Sequence, residues 1–233
     1  MKKILIIGAG AMGSAFSIPC AEYNNDVSII GSVLEDDFIS SIKANKNLHP
    51  SLNVILPNNI KIEKFEKISV VADTVDLIVV AVSSAGIDWA GDEISKFYKA
   101  NTPIVLLTKG LSIIDDQLTT LTEKLEMILK KNDHKNINIS SVKGPCLASG
   151  LANKIRTGTI IANKDIKEAQ KIQNIVQTEY YKCEISDDIE GVEISSAIKN
   201  LYSMLIGGSQ GLSNPDASKE IQEKYFLNPF FCL

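Results

Sequence analysis

The sequence predicts an α/β fold with a doubly wound, mostly parallel sheet, because two hydrophobic patterns alternate along it. Short apolar runs that suit buried strands recur at residues 4–7, 27–30, 77–82, 104–107, 137–139 and 159–162. Stretches with apolar residues three and four apart, which indicate helices, lie between them at residues 13–22, 90–99, 117–130 and 166–178. Strands that alternate with helices in this way form a parallel sheet covered by helices on both faces.

The first predicted strand leads directly into a glycine-rich turn, Gly8-Ala9-Gly10-Ala11-Met12-Gly13. A G-x-G-x-x-G turn between a strand and a helix is typical of Rossmann-like dinucleotide-binding domains. Gly8 would permit the tight turn, Gly10 the approach of a pyrophosphate, and Gly13 close packing of the helix on the strand. The helix N-terminus would then present free N–H groups to the phosphates. A secretory signal peptide is the competing interpretation of residues 1–21, and the three glycines disfavour it because they would break its helix.

Composition narrows the class of protein. The chain has 233 residues, of which 45% are hydrophobic, enough for one large domain or for one domain and part of another. A net charge of -4 disfavours nucleic-acid binding. No apolar run reaches the roughly 18 residues that a membrane span needs, so we expect a cytoplasmic protein. The four cysteines, Cys20, Cys146, Cys183 and Cys232, lack C-x-x-C spacing, which argues against a zinc site and a disulfide framework.

Several strand ends carry residues that could face a ligand, since ligands of doubly wound sheets bind beyond the carboxyl ends of the strands. Lys109, within Thr108-Lys109-Gly110, is either such a residue or a solvated surface lysine. Gly144 and Cys146 follow another predicted strand. Ser32 follows the second strand, where an NAD site usually carries an acid. Glu35 comes three residues later, so the choice between NAD and NADP stays open.

A long helix is predicted over residues 187–206, because the segment opens with acidic residues and ends at Gly207-Gly208. Its apolar side chains predict that it is buried. Lys199 lies in the middle of this apolar segment. A lysine in that position either extends to water along its own stem or acts as a desolvated acid and base.

Together these motifs resemble the NAD(P)-dependent glycerol-3-phosphate dehydrogenase family, over residues 1 to about 212. Five blocks match in order: the glycine turn, His49-Pro50 with Leu56-Pro57-Asn58-Asn59-Ile60, Thr108-Lys109-Gly110, Gly144-Pro145 with Ala148, and Gly191-Val192-Glu193 with Ala197-Ile198-Lys199-Asn200. The resemblance implies reversible reduction of dihydroxyacetone phosphate to sn-glycerol 3-phosphate, with NAD or NADP as cofactor and without a metal, supplying phospholipid synthesis. It also implies a dinucleotide-binding domain over residues 1–186 and the first part of an all-helical substrate domain over 187–233.

The resemblance assigns roles to individual residues. Lys199 looks like the proton donor and acceptor, because hydride attack on a ketone develops negative charge on its oxygen. The other substrate contacts that it implies are Lys109, Gly144, Cys146 and Asn200, with Cys146 standing where the family usually has a hydroxyl. The cofactor contacts that it implies are Gly8, Ala9, Gly10, Ala11, Met12, Gly13, Ser32, Lys109 and Ala148.

The family's helical domain continues for roughly a hundred residues beyond the Lys-Asn helix, an ordinary size for a domain. We therefore expect a C-terminally truncated substrate domain, in which the apolar residues 225–233 are an interrupted core segment. Two alternatives stay open: a ketopantoate-reductase-like 2-oxo acid reductase, and a non-catalytic dinucleotide-binding module. The oligomeric state is also open, a homodimer included.

Overall fold

The structure, a computed structural model, describes residues 1–213, apart from the side chains of Asn200 and of residues 210–213. The apolar segment 225–233 and Cys232 lie outside the described residues, as does the end of the predicted helical domain.

The strands and helices alternate along most of the chain. The strands are β1 (Lys3–Ile7), β2 (Asp26–Ile30), β3 (Leu48–His49), β4 (Val54–Ile55), β5 (Ile60–Glu63), β6 (Leu77–Val80), β7 (Pro103–Leu106), β8 (Leu111–Ile114), β9 (Gln117–Thr120), β10 (Asn138–Lys143), β11 (Thr157–Ala162) and β12 (Tyr181–Ser186). The helices are α1 (Ala11–Glu22), α2 (Asp36–Ala44), α3 (Ile68–Ala72), α4 (Ile87–Ser95), α5 (Leu121–Lys131), α6 (Ala148–Ala152), α7 (Ile166–Val176) and α8 (Ile189–Ser213).

An eight-stranded sheet organises the fold, in the order β12-β11-β10-β7-β6-β1-β2-β5. All neighbouring strands are parallel except β10 and β11, so the predicted doubly wound, mostly parallel sheet is confirmed. The six strands from β5 to β10 follow the order of a dinucleotide-binding domain. In such a domain the strands of the first half lie on one side of the first strand, and those of the second half lie on its other side. The direction of winding reverses between β1 and β6, and this switch point is where such folds bind their ligand.

Hydrophobic layers cover both faces of the sheet. Side chains alternate along β1, so that Ile4 and Ile6 face one layer while Leu5 and Ile7 face the other. All four are almost completely buried. This explains why β1 is a continuous apolar run, as is usual for a parallel strand covered on both sides.

The helix predicted over residues 117–130 begins later than expected. Residues 117–120 are strand β9, which pairs with β8 in a hairpin that turns at Asp115 and Asp116, both with positive φ. Helix α5 begins after Thr120, which forms a capping box with Glu123: each backbone N–H is bonded to the other residue's side chain. The T-x-x-E spacing is a helix-start signal, and it marks this boundary better than the apolar periodicity does.

The long helix predicted near the end of the described residues is present as α8, but it passes through Gly207 and Gly208 without ending. Near its start it packs on the sheet, with Ile189 and Glu193 buried. The prediction that it is buried is wrong for its second half, where Leu201 is 58% exposed and Leu205 60% exposed. Within residues 1–213, no element covers most of these apolar side chains, so burial could not follow from their pattern alone.

We expect Gly8→Ala to destabilise the fold. Gly8 has a φ of +112°, and an added Cβ would lie 2.7 Å from the carbonyl oxygen of Ala81. Backbone strain of this kind costs about 1–3 kcal/mol, and the collision adds to it. Urea denaturation followed by circular dichroism measures the loss.

Gly10→Ala is the matched control for Gly8→Ala. A Cβ at Gly10 meets no atom within 4 Å, and the φ of Gly10 is −62°, which any residue can adopt. Its free energy of unfolding should change by less than about 0.5 kcal/mol. Equal stability of the two variants would contradict the proposed role of the Gly8–Ala81 contact.

Candidate functional site

The glycine turn lies at the switch point of the sheet. The N–H of Gly8 donates to Ile30 O at 2.8 Å, and the N–H of Ala81 donates to Ile7 O at 2.8 Å. A Cβ on Gly13 would collide with the Gly8 carbonyl oxygen and lie 2.9 Å from Ala81 Cβ. The first turn of α1 therefore packs closely against the ends of β1 and β6, and its N-terminus faces the crevice between them.

Three side chains hold the Ala9 peptide inside the turn. Ser14 Oγ donates to Ala9 O at 2.9 Å, and His49 Nε2 lies 3.2 Å from the same oxygen. The Ala9 N–H donates to the Glu35 carboxylate at 3.1 Å. With Ala9 fixed and open space beside Gly10, the backbone is free to approach a bound phosphate.

His49 supports the turn as a neutral side chain. Its Nδ1 accepts from the Leu52 N–H at 3.2 Å, which leaves Nε2 to donate to Ala9 O. Burial lowers the pKa of His49, because it penalises the charged imidazolium. The His49-Pro50 motif signalled this residue in the sequence, but only the structure shows what it contacts.

The other residues predicted to bind the cofactor lie on or next to elements that contact the glycine turn or α1. Ala11 and Met12 begin α1 and are partly exposed. Ser32 follows β2, and its N–H donates to the Glu35 carboxylate at 2.7 Å. Ala148 begins α6, which packs against α1.

Lys109 and Gly144, which follow two different strands, contact each other. Lys109 Nζ donates to Gly144 O at 3.3 Å. Gly144 has a φ of +151°, and a Cβ there would lie 2.9 Å from Thr159 Cα, so this turn requires glycine. The pKa of Lys109 is lowered, first by desolvation of its ammonium group and then by the positive charge of Lys199. The structure thus places Lys199, on α8, near Lys109.

Cys146 is also near Lys109. Its thiol is buried, and burial raises its pKa, while the Lys109 ammonium acts in the opposite direction. It is therefore a neutral thiol at neutral pH, able to contact a ligand but not to act as a thiolate nucleophile. The side chain of Asn200 lies outside the described residues.

A buried ion pair that no sequence motif indicated joins Lys143, at the end of β10, to Glu193, on α8. Lys143 Nζ lies 3.2 Å from Glu193 Oε1, with the two side chains 2% and 0% exposed. Glu193 also accepts from Ser141 Oγ at 2.7 Å and from both the N–H and the hydroxyl of Thr122. Lys143 Nζ donates to Leu106 O at 3.1 Å.

This network joins α8 to β10 and to the start of α5, and so it fixes the helix that carries Lys199. Burial lowers the pKa of Lys143 to about 8, although the Glu193 carboxylate acts in the opposite direction. A second cation, Lys109, lowers it further. The Gly-Val-Glu block was noticed in the sequence as a motif, but a lysine partner fifty residues earlier gave no signal there.

Two kinds of feature are absent from the part of the chain that the structure describes. Among the helices of residues 1–213, none combines the length and the apolar character that crossing a membrane requires. The same residues contain no group of three or more His, Cys, Asp or Glu side chains arranged to hold a metal ion.

We expect Glu193→Gln to cost about 3–5 kcal/mol of the free energy of unfolding, because it leaves the Lys143 ammonium buried without a counter-charge. Lys143→Met should also destabilise the protein, and the double variant should lose less than the sum of the two, since the groups interact directly. Urea denaturation of all four proteins measures this coupling. Lys43→Met is the control, because it removes an exposed pair at 2.7 Å with Glu63 and should cost below about 1 kcal/mol. Additive losses would refute the coupling.

The same pair predicts a pH dependence. Lys143 has a pKa of about 8 in the folded chain, against an ordinary value of 10.5. Between these values the unfolded chain binds more protons, so the contribution of Lys143 to stability rises with pH through this window. The free energy of unfolding of the unchanged protein minus that of the double variant Lys143→Met/Glu193→Gln should therefore be larger at about pH 10 than at about pH 7.5. Denaturation at both values measures this, and an unchanged difference would contradict the lowered pKa.

Similarity to known proteins agrees with this geometry. The chain is 32% identical over 208 residues to the "NADP(+)-dependent glycerol-3-phosphate dehydrogenase" of Archaeoglobus fulgidus. The aligned region covers 89% of this chain and 60% of that protein. It is 27% identical over 220 residues to a glycerol-3-phosphate dehydrogenase [NAD(P)+] of Clostridium botulinum, covering 94% and 63%. The chain thus spans about three fifths of the length of these relatives.

Solved structures show the same fold. The glycerol-3-phosphate dehydrogenase of Coxiella burnetii superposes with a TM-score of 0.78 at 21% identity, over 94% of this chain and 64% of that one. The enzyme of Plasmodium falciparum also gives 0.78, at 25% identity, over 94% and 62%. Residues 3–169 match the family model described as the NAD-dependent glycerol-3-phosphate dehydrogenase N-terminus. The chain therefore belongs to the NAD-dependent glycerol-3-phosphate dehydrogenase family.

Proposed function

We propose that this chain carries the dinucleotide site and the catalytic lysine of a glycerol-3-phosphate dehydrogenase, which reduces dihydroxyacetone phosphate with NADH or NADPH. The observation that carries the proposal is that Lys109 Nζ donates to Gly144 O while its pKa is lowered by the nearby charge of Lys199. The family and the two relatives support the reaction. They do not favour the ketopantoate-reductase-like alternative, since both relatives are glycerol-3-phosphate dehydrogenases over most of this chain.

The cofactor would lie across the switch point. The N–H groups at the start of α1, on Ala11, Met12 and Gly13, have no partner within the helix and suit a pyrophosphate. Gly10 leaves room for that group, because nothing lies within 4 Å of where its Cβ would be. Ser32 and Ala148 would border the ends of the dinucleotide. When bound, the nicotinamide supplies the hydride.

Lysine side chains would stabilise the charge that develops on the substrate. In the proposed mechanism Lys199 donates a proton to the carbonyl oxygen as it becomes negative, which lowers the barrier more than it strengthens substrate binding. Lys109, held by the Gly144 carbonyl, would contact both the substrate and the nicotinamide. Cys146 and Asn200 would complete the substrate contacts.

The domain organisation is part of the proposal. Residues 1–186 would form the dinucleotide-binding domain, and residues 187–233 would begin a helical substrate domain in which α8 is the first helix. The Lys143–Glu193 pair supports this arrangement, because it fixes α8 to the sheet. Phospholipid precursor synthesis would be the use of the product.

A cytoplasmic location and a homodimer complete the proposal. Cys20, Cys146 and Cys183 are buried free thiols, which suits a reducing compartment. Light scattering of the purified chain would measure its oligomeric state.

The decisive experiment is NADH oxidation with dihydroxyacetone phosphate, measured together with NADH binding. Lys199→Met should bind NADH normally but lose turnover by roughly 10²–10⁴-fold, the usual contribution of a general acid. Lys167→Met, an exposed lysine on α7, is the control and should keep full turnover. Binding without turnover in the unchanged chain would favour the non-catalytic module, and failure to bind either dinucleotide would refute the proposal.

A further inference from the structure

We propose that Glu35 makes this site select NAD over NADP, by holding a carboxylate where the adenosine ribose binds. The inference rests on the dinucleotide site proposed above and specifies which dinucleotide occupies it. An acid at this place accepts a hydrogen bond from the ribose 2′-hydroxyl of NAD, and it opposes the 2′-phosphate of NADP.

The Glu35 carboxylate bridges two parts of the candidate cofactor site. One oxygen accepts from the Ala9 N–H of the glycine turn at 3.1 Å, and the other accepts from the Ser32 N–H after β2 at 2.7 Å. In dinucleotide-binding folds the ribose lies between these two segments. Glu35 therefore occupies the place of the usual acid, although it comes three residues later in the sequence.

A short 3₁₀ turn explains how the later residue reaches this place. Residues Val33–Glu35 form the turn directly after Ser32, and it brings the chain back toward the strand end. Val33 and Leu34, in the same turn, remain exposed. The side chain of Glu35 is thus the one in this turn that points to the glycine loop.

Helix capping alone does not account for this arrangement. Glu35 and Ser32 form a capping box, which explains the bond from the Ser32 N–H. The bond from Ala9, which lies 26 residues away, is not part of any cap. It directs the carboxylate at the turn that would hold the cofactor.

The charges around Glu35 favour the same selection. Asp36 follows it at the start of α2, and residues 31–37 contain no lysine or arginine. One buried oxygen of Asp36, Oδ1, has no hydrogen-bond partner among the described residues. Lys43, in the last turn of α2, is paired with Glu63 at 2.7 Å. A 2′-phosphate would thus lie close to negative charge, and this segment offers no cation to bind it. Binding of the 2′-phosphate here is therefore unfavourable.

The name of one relative points the other way. The Archaeoglobus fulgidus protein is called NADP(+)-dependent, so transfer of its preference would predict tighter binding of NADPH. The preference proposed here follows from the residues of this chain, and the two expectations are opposite.

The test is direct titration of the purified full chain with NADH and with NADPH, followed by nicotinamide fluorescence. The unchanged chain should bind NADH at least about tenfold more tightly, a difference that one close charge contact can supply. Glu35→Gln removes the charge and keeps one carbonyl oxygen, which can accept from one of the two N–H groups. It should therefore reduce the preference for NADH by about tenfold, mainly through tighter binding of NADPH.

Asp37→Asn is the matched control, because it removes the same charge from an exposed residue two positions further on. It should change the ratio of affinities less than about threefold, since exposed charges are screened. Thermal denaturation of both variants verifies that they are folded. Tighter binding of NADPH by the unchanged chain, or equal effects of the two variants, would overturn the role of Glu35. Failure of the unchanged chain to bind either dinucleotide would instead refute the proposed function itself.

Discussion

The contact between the glycine turn and the end of β6 is the constraint on which the rest of the site depends. Gly8 and Gly13 both lie where a side chain would collide with backbone or with Ala81, so β1, β6 and α1 can meet only because these positions lack a Cβ. That approach creates the crevice at the switch point of the sheet. Gly10 differs from both, because a Cβ there would meet no atom within 4 Å.

The two halves of the crevice are stabilised by different physical means. At the glycine turn, neutral His49 contacts the Ala9 carbonyl oxygen, and the Glu35 carboxylate accepts from the Ala9 N–H. At the start of α8, a buried ion pair that also accepts a hydrogen bond from Ser141 fixes the helix. Breaking such a pair by removing one partner is costly, because an uncompensated charge then remains in the interior. The pair thus fixes the helix that carries Lys199.

Elements buried on both faces could be predicted well from the sequence, whereas edge and junction elements could not. β1 and β7 are continuous apolar runs, which only the interior of a parallel sheet explains. β12, in contrast, alternates buried and exposed side chains, and short β5 does the same at the opposite edge, so neither gives a strong apolar run. The apolar second half of α8 was predicted to be buried, but it is exposed among the described residues. A hydrophobic pattern indicates that a helix face favours burial, and it does not show that another element covers that face.

The sequence by itself determined the fold class, the glycine turn and the strand-end position of Lys109, because local backbone demands and hydrophobic periodicity are encoded in neighbouring residues. Only the tertiary structure decided that Glu35 reaches the Ala9 peptide, that His49 supports it from the other side, and that Lys143 pairs with Glu193. The partners in these contacts are 26, 40 and 50 residues apart in the chain. The packing of strands and helices decides which of these groups come into contact, and no local sequence pattern contains that information.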